Sequence, residues 1–356
     1  MLRSAPGFTI AGRPVGAGHP LFVIAEIGLN HSGHLERALA MVDGAARAGA
    51  CAVKLQTLQA SALVASSCPA PAHVEASSLS DFFRAFELDE AAHQAVAARA
   101  REHGVAFIST PFSLESVDML ERVGVDAFKI ASGDLTWDGL IQRVARTGRP
   151  MIMSTGMASL EEVAHALTVA RTAGASHVAL LHCVSSYPVP HGAENLRVID
   201  TLARAFDTPV GLSDHGDDAS AVPVAVALGA SLYERHVMLE GDLDAIDGPV
   251  SSTPEQCAAL VAAAARAAAA LGTGEKRCEA AEAPNQMPSR RGLYAARTLA
   301  AGHVIAADDC VALRPAEGIP AGRLQEVVGL PLLCDVPAGA PLLYSALDLR
   351  RERRSA

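Results

Sequence analysis

Short apolar segments alternate with longer amphipathic segments along most of the chain. The apolar segments have the character of buried parallel strands, and they start near Leu21, Cys51, Val105, Ala127, Met151, His177, Pro209 and Leu232. The segments between them have helical spacing, for example 35–48, 89–102, 113–123, 160–172, 196–206 and 254–271. Eight strand–helix units within about 250 residues predict an α/β fold of the (β/α)8 TIM-barrel class.

Local signals agree with this pattern. Ser159 and Thr253 are good N-cap residues directly before predicted helices, and Ser32 and Ser113 also resemble helix starts. No G-x-G-x-x-G motif follows the first strand, which weakens a dinucleotide-binding fold. The connection between Leu58 and Leu88 is far longer than a usual strand–helix loop, so it is either an active-site lid or a disordered insert.

The alternation stops after Leu271. A polar stretch follows, and then short apolar pieces interrupted by glycine and proline, as in a small β-rich module. We therefore predict a barrel domain over residues 1–272, a linker over 273–290 and a small β-rich domain over 291–350.

Ionisable residues recur on one face of the predicted strands, near their C-terminal ends. Side chains alternate between the two faces of a strand, and this parity places one set in the barrel lumen: Glu26, Lys54, Lys129, His215, Glu234 and His236. A single buried lysine or histidine is often a satisfied core residue, whereas a converging set indicates an active site at the end where barrel enzymes have theirs. Asp214 belongs either to this site or to the cap of the next helix.

These residue types point to a reaction on an anion. His215 and His236 end neighbouring strands and could share one divalent ion. We expect Mn²⁺, with Mg²⁺ or Co²⁺ as alternatives. The lysines, with hydroxyls at Thr110, Ser132 and Ser213, suit a small phosphorylated and carboxylated molecule.

Composition and charge exclude several classes of partner and location. The 356 residues are 50% hydrophobic and carry a net charge of −10, which disfavours nucleic acid and anionic membranes as partners. No apolar stretch is long enough for a membrane helix, and the first 18 residues do not resemble a signal peptide. The seven cysteines are scattered and form no C-x-x-C pair. We expect a cytoplasmic protein.

A set of motifs resembles the sialic acid (nonulosonic acid) synthase family, which includes N-acetylneuraminate synthases. In family order and spacing they are IAEIGLNHSG (24–33), AVKLQT (52–57), FELDEAAH (86–93), ISTPF (108–112), KIASGD (129–134), MSTGM (153–157), LLHCVSSYP (180–188), GLSDH (211–215) and ERHVML (234–239). Residues 292–349 resemble the antifreeze-like SAF domain of these enzymes. The resemblance covers about nine tenths of the chain.

The resemblance implies condensation of phosphoenolpyruvate with an N-acylated hexosamine, such as N-acetylmannosamine or a 2,4-diacetamido-6-deoxy hexose. The products are a nine-carbon 2-keto-3-deoxy sugar acid and phosphate. By the family pattern the phosphoenolpyruvate ligands are Lys54, Thr110, Lys129, Ser132, Ser154, Ser185 and Ser213. The sugar-facing residues are Gln56, Asp134, Tyr187, Asp247 and Arg314, and the metal ligands are His215 and His236.

The family pattern also implies catalytic roles for Lys54 and Lys129 in stabilising the leaving phosphate, and for Glu26 or Asp134 as the base. It further implies a domain-swapped homodimer in which Arg314 reaches the partner's site. Three departures fall on the sugar side. They are Asp134 where many members have glutamate, a divergent segment at 242–254, and Glu317 near Arg314.

Two other readings remain. A class I aldolase would form a Schiff base on Lys129 and would need no metal. A non-catalytic protein would use the SAF domain for binding, with the barrel as a relic.

Overall fold

The computed structural model describes residues 6–69, 76–242 and 245–350. The chain divides into two compact units, Met1–Gly272 and Thr273–Ala356.

The first unit is a closed parallel barrel. Strands β3 to β10 pair in parallel with their neighbours, and β10 pairs with both β9 and β3, which closes the sheet. The strands of this unit are β1 (Phe8–Ile10), β2 (Arg13–Val15), β3 (Phe22–Gly28), β4 (Ala52–Thr57), β5 (Ala106–Pro111), β6 (Ala127–Ile130), β7 (Met151–Ser154), β8 (Val178–Cys183), β9 (Val210–Asp214), β10 (Leu232–Val237) and β11 (Ser251–Ser252). The predicted TIM-barrel class is confirmed. The hairpin β1–β2 was not predicted.

Helices follow the strands as the periodicity predicts. They are α1 (Leu35–Arg47), α2 (Ala60–Leu63), α3 (Leu79–Arg84), α4 (Glu90–Glu102), α5 (Leu114–Val123), α6 (Asp138–Ala145), α7 (Leu160–Thr172), α8 (Val198–Ala205), α9 (Ala221–Ala227) and α10 (Pro254–Leu271). Ser159 and Thr253 form complete capping boxes, and Ser113 caps α5. The helix start expected at Ser32 is wrong, because His34 is the N-cap of α1 and Ser32 lies in a turn with φ of 51°.

The two faces of the barrel strands form separate cores. The outward face packs against the helices and carries, for example, Val53, Leu55 and Phe128. The lower part of the lumen is filled by a second apolar cluster, to which the β1–β2 hairpin adds Phe8, Ile10 and Val15. This hairpin therefore supplies apolar side chains to the lumen. The upper part of the lumen is polar.

The long connection between β4 and α4 contributes ordered structure in its described part. It contains α2 and α3, and Phe86 packs with Leu29 and Leu58 in a small apolar cluster. Residues 70–75, within the predicted lid or insert, lie outside the described residues.

The second unit has its own apolar core. Strands β12 (Gly292–Ala295) and β13 (Cys310–Leu313) pair antiparallel, and isolated bridges such as Leu299–Val336 extend the β character. Two short helices, α11 (Gln286–Ser289) and α12 (Leu324–Val327), belong to this unit. The segment predicted as a linker is without regular structure from 272 to 279 and ends in short helical turns.

No helix within the described ranges is long and apolar enough to cross a membrane. All seven cysteines lie in described segments and are free thiols.

Candidate active site

A cavity of about 440 Å³ lies at the C-terminal ends of the barrel strands. Most residues that the sequence analysis selected line it: Glu26, Lys54, Gln56, Thr110, Lys129, Ser132, Ser154, Ser185, Tyr187, Ser213, His215 and His236. The strand parity that placed Glu26, Lys54 and Lys129 in the lumen is observed, because the neighbours of each along its strand lie in the outward apolar core. These residues come from many separate strand ends, so only the closed barrel brings them together.

Four buried charges form a continuous chain across the floor of this cavity. The ammonium nitrogen of Lys54 lies 2.8 Å from Glu26 Oε2 and 3.7 Å from Glu234 Oε2. Lys129 Nζ lies 3.2 Å from Glu234 Oε1. Glu234 therefore links the two lysines, and it also accepts a hydrogen bond of 2.9 Å from Ser213 Oγ. Charged groups so deeply buried are retained only when they are paired in this way.

The pairing sets the protonation of the chain. Burial favours a neutral Glu234, but the ammonium groups of Lys129 and Lys54 outweigh it and lower the pKa of Glu234 to about 2. Burial likewise disfavours a charged Lys54, yet the carboxylates of Glu234 and Glu26 raise its pKa. For Lys129, burial prevails and lowers the pKa. Lys54 and Glu234 are therefore a charged pair at neutral pH.

Hydroxyl groups also line this cavity, and one of them contacts Lys54. Thr110 Oγ1 accepts a hydrogen bond from Lys54 Nζ at 3.2 Å, and Ser132 Oγ accepts one from the Gly156 amide at 3.0 Å. Ser154 Oγ is buried without a hydrogen-bond partner among the described residues. A buried donor without a partner is costly in an isolated protein. Its placement suits an anionic ligand that accepts its hydrogen bond.

The two predicted metal ligands face each other at the cavity edge. The ring centroids of His215 and His236 are 5.6 Å apart, and the Tyr187 ring lies 4.1 Å from that of His215. Burial lowers the pKa of His215 to about 3, which keeps this imidazole neutral and able to coordinate. His215 Nδ1 lies 3.3 Å from the Val184 carbonyl, a contact that directs Nε2 elsewhere.

His236 has the support that metal-binding histidines usually have. Its Nδ1 lies 3.2 Å from Asp247 Oδ2, and a carboxylate behind an imidazole orients the ring for coordination. A Cβ atom on Gly28 would lie 2.8 Å from both of these atoms, so only glycine fits there. Within the described ranges no group of three or more His, Cys, Asp or Glu is placed as a metal site. The two imidazoles therefore suit a divalent ion whose other ligands come from substrate or water.

Some selected residues lie elsewhere. Asp134 is half-buried in the turn Ser132–Asp134, outside the cavity lining, and burial raises its pKa to about 6. Asp247 supports His236 rather than lining the cavity. Arg314 is an exposed residue of the second unit. Their sugar-facing roles remain predictions. Asp214 is not the cap of the next helix, because α9 begins at Ala221 with Ser220 as its N-cap. Nor does Asp214 line the cavity: its carboxylate pairs with Arg235 in the interior.

The sequence analysis missed the apolar wall of the cavity. Leu63, Val64 and Phe83 of the long loop, with Phe112 and Met157, also line the cavity. Met157 is largely exposed and has a φ of 65°, a strained conformation for a residue other than glycine. The apolar residues of the 58–88 stretch were the available signal, but loop length alone does not predict which of them face a cavity.

Comparison with known proteins places this geometry in a family. Residues 41–276 match the NeuB family model, and residues 290–348 match the SAF domain model. The chain is 35% identical to N,N'-diacetyllegionaminic acid synthase of Legionella pneumophila, over 94% of this chain and 97% of that protein. It is 31% identical to a pseudaminic acid synthase of Campylobacter jejuni, over 91% and 96% of the two chains.

A solved structure agrees with this match. The N-acetylneuraminic acid synthetase of Leptospira borgpetersenii superposes with a TM-score of 0.72 at 32% identity, covering 79% of this chain and 95% of that one. The matches to the two synthases span nearly the whole length of both chains, and the two family models fall in the barrel and in the second unit. The chain therefore belongs to the NeuB family, with a barrel followed by a SAF domain.

Proposed function

We propose that this protein condenses phosphoenolpyruvate with an N-acylated amino hexose to give a nine-carbon 2-keto-3-deoxy sugar acid and phosphate. The observation that carries the proposal is the cavity itself. It combines two buried lysines, a set of hydroxyl donors and two facing imidazoles at the C-terminal end of the barrel. The relatives described above are synthases of legionaminic and pseudaminic acids, which supports the same class of reaction.

The donor end of the cavity suits phosphoenolpyruvate. Its phosphate and carboxylate need cations and donors that are already in place, and Lys54 and Lys129 are held in place by Glu26 and Glu234. Ser154, Ser132 and Ser213 add hydroxyls around them. Because these groups are fixed before binding, little reorganisation is needed when charge builds up on the leaving phosphate.

The acceptor end lies toward His215 and His236. A divalent ion, for which we propose Mn²⁺ with Mg²⁺ or Co²⁺ as substitutes, would act there as a Lewis acid toward the open-chain aldehyde. The chain itself contributes orientation: Asp247 fixes the His236 ring, and Tyr187 packs against His215.

The bond changes follow from the two substrates. A bond forms between C3 of phosphoenolpyruvate and the aldehyde carbon as the C2–C3 double bond opens, and the aldehyde oxygen takes up a proton to become a hydroxyl. The hydroxide of a water molecule adds to C2. Phosphate then leaves C2, which becomes the ketone. Glu26, a buried cavity carboxylate beside Lys54, is the base that we propose for the proton of the attacking water.

The apolar wall favours one acceptor among those considered. Leu63, Val64 and Phe83 offer methyl and ring surface opposite the polar floor. A 2,4-diacetamido-6-deoxy hexose carries three methyl groups, whereas N-acetylmannosamine carries one methyl and an additional hydroxymethyl group. A hydroxyl placed against such a wall loses hydrogen bonds with water, so we propose the diacetamido deoxy sugar as the acceptor.

Phosphate release tests the reaction and the acceptor together. The purified protein is incubated with phosphoenolpyruvate and Mn²⁺ and with each of three sugars: the diacetamido deoxy hexose, N-acetylmannosamine and mannose. We expect sugar-dependent release that EDTA abolishes and Mn²⁺ restores. His215→Ala serves as the control for the metal requirement. Phosphate release that is equal with and without every sugar would contradict the proposal.

One observation favours the aldolase alternative, since burial lowers the pKa of Lys129 as a Schiff-base lysine requires. Borohydride treatment in the presence of each substrate distinguishes the two reactions. Mass spectrometry should find Lys129 unmodified if the enzyme is a condensing enzyme. It should find a reduced substrate adduct on Lys129 if the enzyme is an aldolase.

We further propose a cytoplasmic, domain-swapped homodimer in which Arg314 faces the partner's sugar. The phosphorylated donor is charged and does not cross membranes unaided, and the free thiols agree with a reducing compartment. Light scattering measures the molar mass in solution, which should be that of two chains. Mixing Arg314→Ala with the inactive Lys129→Met variant tests the exchange, because a mixed dimer recovers one intact site.

A further inference from the structure

An ion pair is buried behind the two strands that lead to the histidines. Asp214 ends β9 and Arg235 lies in β10, and the strand register places them opposite each other. The distance from Arg235 Nη1 to Asp214 Oδ2 is 3.3 Å, and the two side chains are 4% and 5% exposed. Arg235 Nε also donates to Ser252 Oγ at 2.7 Å. The guanidinium therefore joins β9, β10 and β11.

This pair faces away from the cavity, but its chain neighbours face into it. Successive residues of a strand point to opposite sides. Ser213 and His215, which flank Asp214, line the cavity, and so do Glu234 and His236, which flank Arg235. The contact between Asp214 and Arg235 on the outward face is thus flanked, along both strands, by residues that line the cavity.

The pair lies among apolar residues of the outward core, and Asp214 Oδ1 accepts a further hydrogen bond from the Gly216 amide at 2.9 Å. Leu212 and Val237 lie in the same outward core, and the Tyr233 hydroxyl donates to the Asp214 carboxylate. An ion pair in such a setting adds little net stability compared with apolar side chains of similar volume. Stability alone therefore does not account for these charges at this position.

The same two strands are also joined on the cavity side, where Ser213 Oγ donates to Glu234 Oε1. Links on both faces restrict the twist of β9 against β10, and hence the separation of the two imidazoles. We propose that Asp214 and Arg235 are positioning residues that fix His215 and His236 for a shared divalent ion. This inference rests on the proposed function, which places a metal there.

Metal binding without substrates tests the inference. Free Mn²⁺ is measured by electron paramagnetic resonance in titrations of the metal-free full-length protein. The variants are Asp214→Asn, Arg235→Lys and Tyr233→Phe. Lysine keeps the charge but cannot contact Asp214 and Ser252 together. We expect the affinity for Mn²⁺ to fall about 10- to 100-fold in Asp214→Asn and Arg235→Lys, as it does when other groups behind metal ligands are changed. The loss of affinity in Tyr233→Phe should be smaller.

A matched control separates positioning from stability. Thr57 on the outward face of β4 lies 2.9 Å from His93 Nε2 and 2.6 Å from Ser109 Oγ. Thr57→Val breaks this buried polar contact two strands away from β10, between strands that carry neither histidine. We expect it to lower the urea midpoint of the metal-free protein while Mn²⁺ binds as in the wild type.

The outcomes are distinct. Weaker Mn²⁺ binding in Arg235→Lys and Asp214→Asn, but not in an equally destabilised Thr57→Val, supports the positioning role. Wild-type affinity in both pair variants would overturn it. If the wild type and His215→Ala both fail to bind Mn²⁺, the metal site of the proposed function is refuted instead, and the positioning role with it.

Discussion

Two layers of the barrel lumen differ sharply although the same strands form them. In the lower layer Ile24, Ala52 and Leu232 pack with the N-terminal hairpin in a closed apolar cluster. Two residues further along the same strands and the same face, Glu26, Lys54 and Glu234 form the buried charge chain. One step of strand periodicity therefore separates a packed core from a polar site.

The difference shows how a barrel divides its tasks. The lower layer gains stability from apolar burial, which is about 25 cal/mol per Å² of area removed from water. The upper layer opens to the cavity and keeps charges whose partners are other charges. Changes in the lower layer should thus affect stability alone, and changes in the upper layer should affect chemistry.

The largest effect is expected from Lys129→Met. It removes a cation that we assign to phosphate and leaves Glu234 with Lys54 at 3.7 Å. We expect kcat/KM for phosphate release to fall about 10³-fold, and the unfolding free energy to fall by about 3–5 kcal/mol.

The double variant Lys129→Met with Glu234→Gln is the control for folding. It removes both members of the ion pair, so urea denaturation should show a smaller loss of stability while activity stays low. Recovery of activity in the double variant would contradict the role of Lys129.

Ile24→Ala addresses the lower layer. It leaves a cavity in a fully buried cluster, and we expect a loss of about 2–5 kcal/mol in the free energy of unfolding. The kcat/KM of the folded fraction should stay at the wild-type value, because no cavity charge is touched. A large fall in kcat/KM at full folding would show that the two layers are not independent.

Acid should lower the free energy of unfolding through the charges of the upper layer. The folded pKa of Glu234 is about 2 against an ordinary value of 4.5. Its stabilising contribution is therefore complete above pH 4.5 and is lost progressively as the pH falls toward 2. Urea denaturation from pH 6 to 3 measures this slope. Glu234→Gln should give a flatter slope, and an unchanged slope would argue against the assignment.

The smallest effects come from a matched pair, Ile152→Val in the lower layer and Ser213→Ala in the upper layer. Each should lower the free energy of unfolding by about 1 kcal/mol. Only Ser213→Ala should raise KM for phosphoenolpyruvate, since it frees Glu234 from the 2.9 Å hydrogen bond that orients it. Steady-state kinetics of both variants checks this, and equal KM values would remove Ser213 from the donor site.

Strand parity explains why much of the site was predictable. Alternation alone places Lys54 and Lys129 on the face opposite Leu55 and Phe128, and the structure has them so. The hairpin β1–β2 was missed because its strands have three residues each, too few for a periodic pattern. The role of Glu234 as a link between two lysines was also out of reach, because it depends on distances across three strands.

The sequence by itself determined the barrel class, the helix starts at Ser113, Ser159 and Thr253, the strand face of the lumen charges and the family resemblance. These follow from local periodicity, capping and motifs, which need no knowledge of distant contacts. Only the tertiary structure decided which charges pair, that Asp214 faces Arg235 rather than a helix end, and that Asp134 lies outside the cavity lining. Barrel closure decides these pairings and positions, because it brings residues more than 100 positions apart, such as Lys129 and Glu234, within hydrogen-bond distance.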